Sequence, residues 1–354
     1  MKGPEAGYGQ LPKGKVGMEL SCVGAVRVFE KWALGLCLSP NLSSRPNLSP
    51  GLDPVPSFDP VMSALPSEAL LVSGMNGEVV ALDAELREIQ RFQAHEGAVN
   101  VLQSQGGQIW TGGGDGCLRA WSWPEAEEVI CLRGPKKPVV ASWHDARLGV
   151  LAQSHERALY HWPLQDGELA QEPRRIRNVA CLERVGSGQR QKQKQKQKQK
   201  QKQKQKQGQD WFGAPKTGPK AGDIGPLAAF DPETGRFGEP LFEDGFTAWS
   251  LTPWDATHLL AFGLDRRPWI LDPASGQREP LPWHSQSVGP RSLVLSDGTR
   301  VLYGDGKLVG DGAAQDAAIR GLYGAAEWPE GRVLIAGADG QLWVYGPSSA
   351  QSEK

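Results

Sequence analysis

Cysteine is scarce in this chain, and long apolar runs are missing. The 354 residues include five cysteines, none of them in a CxxC pair. An odd, scattered set of this kind argues against a disulfide framework and a structural zinc site, and it is typical of a reducing compartment. No apolar run approaches the roughly 18 residues that a membrane-spanning helix needs. We therefore predict a cytoplasmic protein without a transmembrane segment. Export or lipidation at Cys37 is the minor alternative, because Leu36 stands where a lipobox has a small residue.

The motifs of common enzyme classes are missing as well. The sequence holds no GxSxG nucleophile elbow, no GxxxxGK[ST] phosphate loop and no HExxH metal motif. Its six histidines are dispersed. His144 and His258 flank turns, and we interpret them as solvent-exposed turn residues in preference to a shared metal site. The sequence therefore predicts no catalytic residue, no cofactor and no metal, and it favours a protein that is not an enzyme.

Positive charge is concentrated in one segment. The formal net charge is −1, yet nine positive charges fall between Arg190 and Lys206, so the remainder carries −10. Gln and Lys alternate there, and self-repulsion predicts a disordered loop, which we place at residues 187–212. Nucleic-acid or anionic-surface contact through Lys192–Lys206 is less favoured than a tolerated low-complexity repeat, since aromatic residues for base stacking are lacking.

The N-terminal part has a different composition from the rest. Ser39–Pro60 is rich in Pro, Ser and Asn, which predicts a disordered or extended segment. We therefore assign residues 1–58 to a low-order leader. An over-extended gene start, with the true initiator at Met62 or nearby, is an alternative explanation of the same composition.

A tight-turn signature recurs about every 40 residues. Asn-Gly or Asp-Gly between apolar runs predicts a hairpin in which both turn residues adopt positive φ. A period of this length with several short strands per unit predicts the blades of a β-propeller. The turn positions are Asn76, Asp115, Glu156, Asp265, Asp305 and Asp339.

The second unit shows the strand pattern most clearly. Its predicted strands are 98–103, 108–112, 117–122 and 128–133. The third strand, with Leu118, Ala120 and Trp121, is apolar on both faces, as expected for a sheet packed between two other sheets. In FDPETG and LDPASG of later units, Pro favours a type I turn and Gly accepts the left-handed position that follows.

One unit is hidden by the Gln/Lys tract. Glu156 and Asp265 are 109 residues apart, and removing the tract restores a period near 40 with a third strand at Pro226–Asp231. We therefore predict an all-β fold, a single propeller of about seven four-stranded antiparallel blades over residues 59–348. A tail follows at 349–354. The last unit lacks a confident fourth strand, so either an N-terminal segment completes it, with Gly24–Trp32 as the best candidate, or the last blade has three strands.

The second unit resembles the WD-repeat family of β-propellers. His95 stands at the family's histidine position, Thr111 at its second-strand hydroxyl, Asp115 at its turn aspartate and Trp121 at its third-strand tryptophan. The resemblance implies that these four form a buried structural tetrad. Other units keep less of this pattern, and FDPETG and LDPASG make the second half look closer to quinoprotein-like repeats.

The connections between units supply the candidate partner-binding residues. They carry an excess of positive charge on an otherwise acidic body, which predicts attraction of an acidic partner. These residues are Lys136, Lys137, Arg175, Arg177, Arg291 and Arg320. We therefore predict an interaction scaffold that binds a protein or peptide through its blade-connecting loops. The alternative is a propeller enzyme of quinoprotein or lactonase type, with a cofactor or divalent metal over the central channel and acids such as Asp244 or Asp297 turned inward.

Overall fold

A computed structural model describes most of the repeat region and two segments of the N-terminal part. The described residues are 20–30, 33–38, 69–185, 211–220, 222–255, 257–281, 291–294, 300–304, 307–310, 313–316, 322–328 and 332–347. All regular elements within these ranges are β-strands, as the repeat pattern predicts.

The strands are short and follow one another closely. In chain order, those of the first half are β1 (Leu20–Arg27), β2 (Ala33–Leu38), β3 (Leu70–Gly74), β4 (Glu78–Leu82), β5 (Glu88–Gln93), β6 (Val99–Gln105), β7 (Gln108–Gly113), β8 (Cys117–Trp121), β9 (Glu128–Arg133), β10 (Val139–Asp145), β11 (Gly149–Ser154), β12 (Leu159–Trp162), β13 (Leu164–Gln165), β14 (Glu168–Leu169) and β15 (Arg174–Ile176).

The second half continues the same alternation of strand and turn. Its strands are β16 (Val179–Arg184), β17 (Trp211–Pro215), β18 (Ala228–Asp231), β19 (Arg236–Pro240), β20 (Ala248–Pro253), β21 (Leu259–Gly263), β22 (Pro268–Asp272), β23 (Gln277–Pro280), β24 (Arg291–Val294), β25 (Arg300–Gly304), β26 (Lys307–Gly310), β27 (Ala313–Asp316), β28 (Leu322–Trp328), β29 (Arg332–Gly337) and β30 (Gln341–Pro347).

The described strands form seven four-stranded antiparallel sheets, which we call blades and number in chain order. Blade 1 is β2–β5, blade 2 is β6–β9, and blade 3 is β10, β11, β12 and β15. Blades 4, 5 and 6 are β16–β19, β20–β23 and β24–β27, and blade 7 is β28, β29, β30 and β1. The first strands of six of the seven pairs of neighbouring blades contact one another, including β28 of blade 7 and β2 of blade 1. The first strands of blades 3 and 4 are joined by the hydrogen bond from Trp143 to Glu183, so the blades close into a ring around these strands.

The N-terminal segment joins both ends of the ring. β1 pairs with β30 as the outer strand of blade 7, with Ala25 opposite Trp343, and β2 is the first strand of blade 1. The backbone N–H groups of Val28 and Phe29 both donate to the carbonyl of Gly340 at 3.0 Å. The leader assigned to residues 1–58 therefore contains two strands, and the segment proposed to close the ring overlaps β1. The low-order assignment rested on the composition of Ser39–Pro60, which does not extend to the residues of β1 and β2.

The core lies between the blades. Leu118 and Ala120 of blade 2 pack with Val150 and Ala152 of blade 3, and all four are at most 4 % exposed. Burial on both faces of the inner strands explains their continuous apolar runs. The two predicted type I turns of the second half also form, with φ of 73° at Gly235 and 70° at Gly276.

The repeated Asp-Gly turn has a different geometry from the predicted one. In blade 2 the N–H of Gly116 donates to Gly113 at 3.2 Å, and Gly116 has a φ of 76°, whereas Asp115 is not in the left-handed region. The carboxylate of Asp115 accepts from the Cys117 N–H at 3.1 Å, which favours a type I turn followed by a left-handed glycine. The expectation of positive φ at both residues was therefore wrong.

The insertion in blade 4 joins neighbouring strands of one sheet. β16 ends at Arg184, and its antiparallel partner β17 begins opposite it at Trp211. The connection therefore leaves blade 4 and returns to it at the same end of the sheet. Trp211 and Phe212 are buried in β17, so the boundary of 187–212 extends too far into the strand. The rest of the tract, Ser39–Pro60 and the tail at 349–354 lie outside the described residues.

Candidate interaction surfaces

The ring has two faces that differ in the connections they carry. We call the end at which each first strand begins the upper face. Since the strands alternate in direction, the upper face carries the connections between blades and the turns between second and third strands. The opposite end, the lower face, carries the connections between first and second strands and between third and fourth strands.

The tetrad implied by the resemblance is present at blade 2. Trp121 Nε1–H donates to Thr111 Oγ1 at 2.8 Å, and the Thr111 hydroxyl lies 2.8 Å from His95 Nε2. His95 Nδ1 lies 2.9 Å from Asp115 Oδ1. The Thr111 hydroxyl accepts from Trp121 and can also donate to His95 Nε2, whereas His95 Nδ1 contacts both Asp115 Oδ1 and Arg119 Nη1, the latter at 2.5 Å. Every member thus has a partner.

The charge of Asp115 in the tetrad is balanced by Arg119, which lies two residues before Trp121 in β8. Its Nη1 donates to Asp115 Oδ2 at 2.7 Å and to the Ala94 carbonyl at 3.0 Å. Burial alone would raise the pKa of Asp115, but the bonds from Arg119 and from the Cys117 N–H outweigh it and lower that pKa. Burial lowers the pKa of His95, so its imidazole is neutral, as the hydrogen-bond chain requires.

In two other blades, a tryptophan donates directly to the turn aspartate, without an intervening threonine and histidine. Trp269 Nε1–H donates to Asp265 at 3.2 Å, and Trp343 Nε1–H donates to Asp339 at the same distance. These tryptophans lie four residues after the turn aspartate, whereas Trp121 lies six after Asp115. The constant four-residue offset between the aspartate and the tryptophan is the sequence signal of this second arrangement.

The candidate basic residues occupy different settings. Lys136, Lys137 and Arg177 are exposed in the connections of the upper face. Arg175 lies in the outer strand β15 and not in a connection, where its Nη2 is 3.1 Å from Glu156 and its guanidinium packs over Tyr160. Only the backbone of Arg291 is described, in β24, and Arg320 lies outside the described residues.

Backbone hydrogen bonds join several of these upper connections into one surface. The His155 N–H donates to Pro138 at 2.8 Å, and the Val179 N–H donates to Arg157 at 3.0 Å. The Lys216 N–H in turn donates to the Asn178 carbonyl at 2.8 Å. We call the surface formed by residues 135–138, 155–157, 175–179 and 216–220 the cationic strip. It crosses the upper face from the end of blade 2 to blade 4.

Charge within the cationic strip is strongly one-sided. It contains one acid, Glu156, which is engaged by Arg175 and by the Tyr160 hydroxyl. Its basic residues are Lys136, Lys137, Arg157, Arg175, Arg177, Lys216 and Lys220. Lys136, Lys137 and Arg177 have no ion pair or hydrogen bond with any described residue. Neighbouring like charges of this kind create a positive potential at a surface.

The acids of the enzyme alternative are placed less favourably. Asp244 accepts a bidentate contact from Arg278, whose guanidinium also lies 4.5 Å from the centre of the Phe246 ring and 5.0 Å from that of Trp269. Asp297 lies outside the described residues. Within the described ranges, no group of three His, Cys, Asp or Glu residues is arranged to hold a metal ion.

The histidines of the lower face are not the exposed turn residues that we expected. His258 is 8 % exposed and its Nδ1 lies 2.9 Å from Asp255. His144 is half-buried in β10 with its ring centre 4.3 Å from that of Trp110, and burial lowers its pKa to about 4. The side chains that bury them come from neighbouring strands and blades, which sequence spacing does not reveal.

A half-buried carboxyl group contacts Trp143, the residue before His144 in β10. Glu183 Oε1 accepts from Trp143 Nε1–H at 3.0 Å and from the Arg184 N–H at 2.8 Å. Burial raises the pKa of Glu183 to about 7, and these two hydrogen bonds only partly offset it. The ionised form is therefore destabilising at and above neutral pH.

Glu183→Gln provides a test of this burial. Because the folded pKa exceeds the ordinary 4.5, wild-type stability falls as pH rises from 4.5 through 7. Glutamine does not titrate, so we expect its advantage in unfolding free energy to grow by about 3 kcal/mol over that interval. Urea unfolding of both proteins at pH 5 and pH 8 measures the difference. A pH-independent difference would contradict the buried setting of Glu183.

Comparisons with known proteins bear on the fold. No protein-family model matches the chain, and no curated protein matches it. The described part of the chain contains no helix that is long and apolar enough to cross a membrane. The chain is similar in structure to the crystal structure of the WD40 β-propeller domain of Doa1. That match has a TM-score of 0.58 and 11 % identity, and covers 94 % of this chain and 98 % of the other. This match shows that the chain has the β-propeller fold, similar to that of this WD40 domain.

Proposed function

We propose that this protein is a non-enzymatic interaction scaffold that captures an acidic segment of a protein partner on the cationic strip. The observation that carries the proposal is the continuity of this surface over three consecutive blades. Its connections are joined by backbone hydrogen bonds, so the basic side chains stand on a rigid support. Little ordering of the backbone is then needed when a partner binds.

Charge complementarity gives the proposal its specificity. Lys136, Lys137 and Arg177 are exposed and have no acidic partner among the described residues, so a ligand does not have to displace an existing ion pair. An extended acidic peptide places a carboxylate at every residue and matches a strip of separated cations. Binding of this kind weakens as salt screens the charges.

Reversal of two charges on the strip is the direct test. We expect the Lys137→Glu/Arg177→Glu variant to bind a fluorescent deca-glutamate peptide at least tenfold more weakly than wild type at 50 mM salt. The matched control is Arg147→Glu/Arg236→Glu, which makes the same change of charge at exposed residues toward the lower face. Fluorescence anisotropy measures both affinities.

The Gln/Lys tract is the competing source of positive charge. Deletion of residues 189–209 should leave peptide binding within twofold of wild type if the strip is the site. Loss of binding in the deletion variant, or an equal loss in the control variant, would refute the assignment. Retention of wild type on heparin that vanishes with the deletion would assign polyanion binding to the tract instead.

A further inference from the structure

Blade 3 carries an extra element between its third and fourth strands. Residues 163–173 connect β12 to β15, whereas the shorter connections 83–87, 232–235 and 273–276 are sufficient in blades 1, 4 and 5. Within the longer connection, β13 and β14 pair as a two-stranded antiparallel sheet of their own. We call residues 163–173 the blade 3 ribbon. It leaves the ring on the lower face, where third and fourth strands are connected.

The blade 3 ribbon is fixed at its base and open at its tip. The Ala170 N–H donates to the Pro163 carbonyl at 2.9 Å, and Leu169 packs against the core between blades 2 and 3. Asp166 and Gly167 form the tip with φ of 54° and 87°, the positive values of a two-residue hairpin turn. A β-carbon at Gly167 would meet no atom within 4 Å, so the tip stands clear of the rest of the described chain.

All charge on the blade 3 ribbon is negative. Its acids are Asp166, Glu168 and Glu172, and it contains no lysine or arginine. All three acids are exposed, and none has an ion pair or a side-chain hydrogen bond with a described residue. A projecting element whose charges are left unpaired by its own chain can bind a positively charged surface without first breaking an ion pair.

The cationic strip has the complementary character. Lys136, Lys137 and Arg177 are exposed there without a partner among the described residues. The strip crosses blades 2 to 4 on the upper face, and the blade 3 ribbon leaves the lower face of the blade at its centre. Because the two surfaces belong to opposite faces, a second ring stacked on the first in the same orientation brings the ribbon of one copy to the strip of the next.

We propose that the acidic segment captured by the cationic strip is the blade 3 ribbon of a second copy of this chain. The inference rests on the proposed function of the strip and names its partner. A contact between two different surfaces is heterologous, so each copy keeps a free strip at one end of the assembly and a free ribbon at the other. Such contacts stack the rings head to tail, and their charged character makes the assembly sensitive to salt.

Concentration-dependent assembly of the full-length wild type is the first test. We expect its weight-average mass at 50 mM salt to at least double between about 5 μM and about 200 μM protein. At about 500 mM salt it should return to the mass of the monomer, because the exposed charges are screened. Sedimentation equilibrium measures both. A protein that stays monomeric over this range at 50 mM salt would overturn the proposal.

Reversal of charge on the blade 3 ribbon is the second test. The Glu168→Lys/Glu172→Lys variant leaves the turn at the tip intact, and we expect it to associate at least tenfold more weakly than wild type. The matched control is Glu125→Lys/Glu239→Lys, which makes the same change at exposed residues of blades 2 and 4 and should assemble like wild type. Unchanged assembly of the ribbon variant, or an equal loss in the control, would refute the assignment.

Mixing the ribbon variant with the strip variant Lys137→Glu/Arg177→Glu tests the head-to-tail geometry. Neither variant should associate alone, since each lacks one of the two surfaces. Their equimolar mixture should form a dimer that does not grow further, because it contains one intact strip and one intact ribbon. A mixture that stays monomeric, or one that grows beyond the dimer, would contradict this geometry.

Binding of the deca-glutamate peptide separates this proposal from the one on which it rests. The ribbon variant should bind the peptide like wild type, since its strip is unchanged. A wild type that binds the peptide but does not assemble would overturn the second-copy assignment alone, whereas a wild type that does neither would overturn both proposals. Assembly that disappears when residues 189–209 are deleted would assign the contact to the Gln/Lys tract and would also overturn the assignment to the strip.

Discussion

A chain that begins at Met62 is expected to lose cooperative folding, whereas a chain that begins at Met18 keeps it. The first truncation removes β1 and β2, and the second removes neither. Without β2, the fully buried strand β3 becomes an edge strand of blade 1. Without β1, the strand β30 becomes an edge strand of blade 7. Exposed apolar edges of this kind promote aggregation. We expect the whole unfolding free energy, typically about 5–15 kcal/mol for a protein, to be lost.

Size-exclusion chromatography and urea unfolding followed by circular dichroism compare the two chains. A third chain that begins at Lys31 keeps β2 and lacks β1, and it should be destabilised but monomeric. A monomeric Met62 chain that unfolds as cooperatively as the Met18 chain would show that the N-terminal strands are dispensable, and would support the shorter gene start. Cleavage at Cys37, which lies in β2, would remove β1 in the same way.

Thr111→Val is expected to lower the unfolding free energy by about 2–4 kcal/mol. The replacement keeps the shape of a residue that is 0 % exposed but removes the hydroxyl that joins Trp121 to His95. Two buried polar groups then lack a partner, and each costs about 1–3 kcal/mol. Urea unfolding measures the loss. An unfolding free energy within 0.5 kcal/mol of wild type, a margin typical of neutral surface changes, would mean that the hydrogen bonds of the Thr111 hydroxyl do not stabilise the fold.

Thr252→Val is the matched control for this prediction. Thr252 Oγ1 is buried without a hydrogen-bond partner in the described structure. Its removal should therefore leave the unfolding free energy unchanged or raise it slightly. Trp121→Phe in a double-mutant cycle with Thr111→Val isolates the bond between the two side chains. We expect a coupling of about 1–2 kcal/mol, and additive effects would contradict the hydrogen bond.

Features with a local cause were predictable from the sequence. The predicted strands of blade 2 differ from the observed ones by at most two residues at any end, because turn glycines and apolar runs mark them directly. The hidden blade was found for the same reason, since Pro226–Asp231 overlaps β18. The tetrad was implied by the resemblance of the second unit to the WD-repeat family.

Features that depend on neighbouring blades were not predictable. The pairing of Arg175 with Glu156 and the burial of His144 both arise from contacts across strands or blades. Arg291 and Arg320 remain predictions, since the described side chains do not include them. The hydrogen bond from Trp143 to Glu183 had no sequence signal either, because the two residues lie in the first strands of adjacent blades, 40 residues apart.

The position of β1 has a consequence for the order of events during synthesis. Arg27 Nη1 donates to the Asp339 carbonyl, although the two residues are 312 positions apart. At about 5–20 residues per second, the ribosome needs roughly 15–60 s to supply this partner after β1 has emerged. The strand β1 must therefore remain unpaired while six blades form, and the ring closes only after β30 has been synthesised.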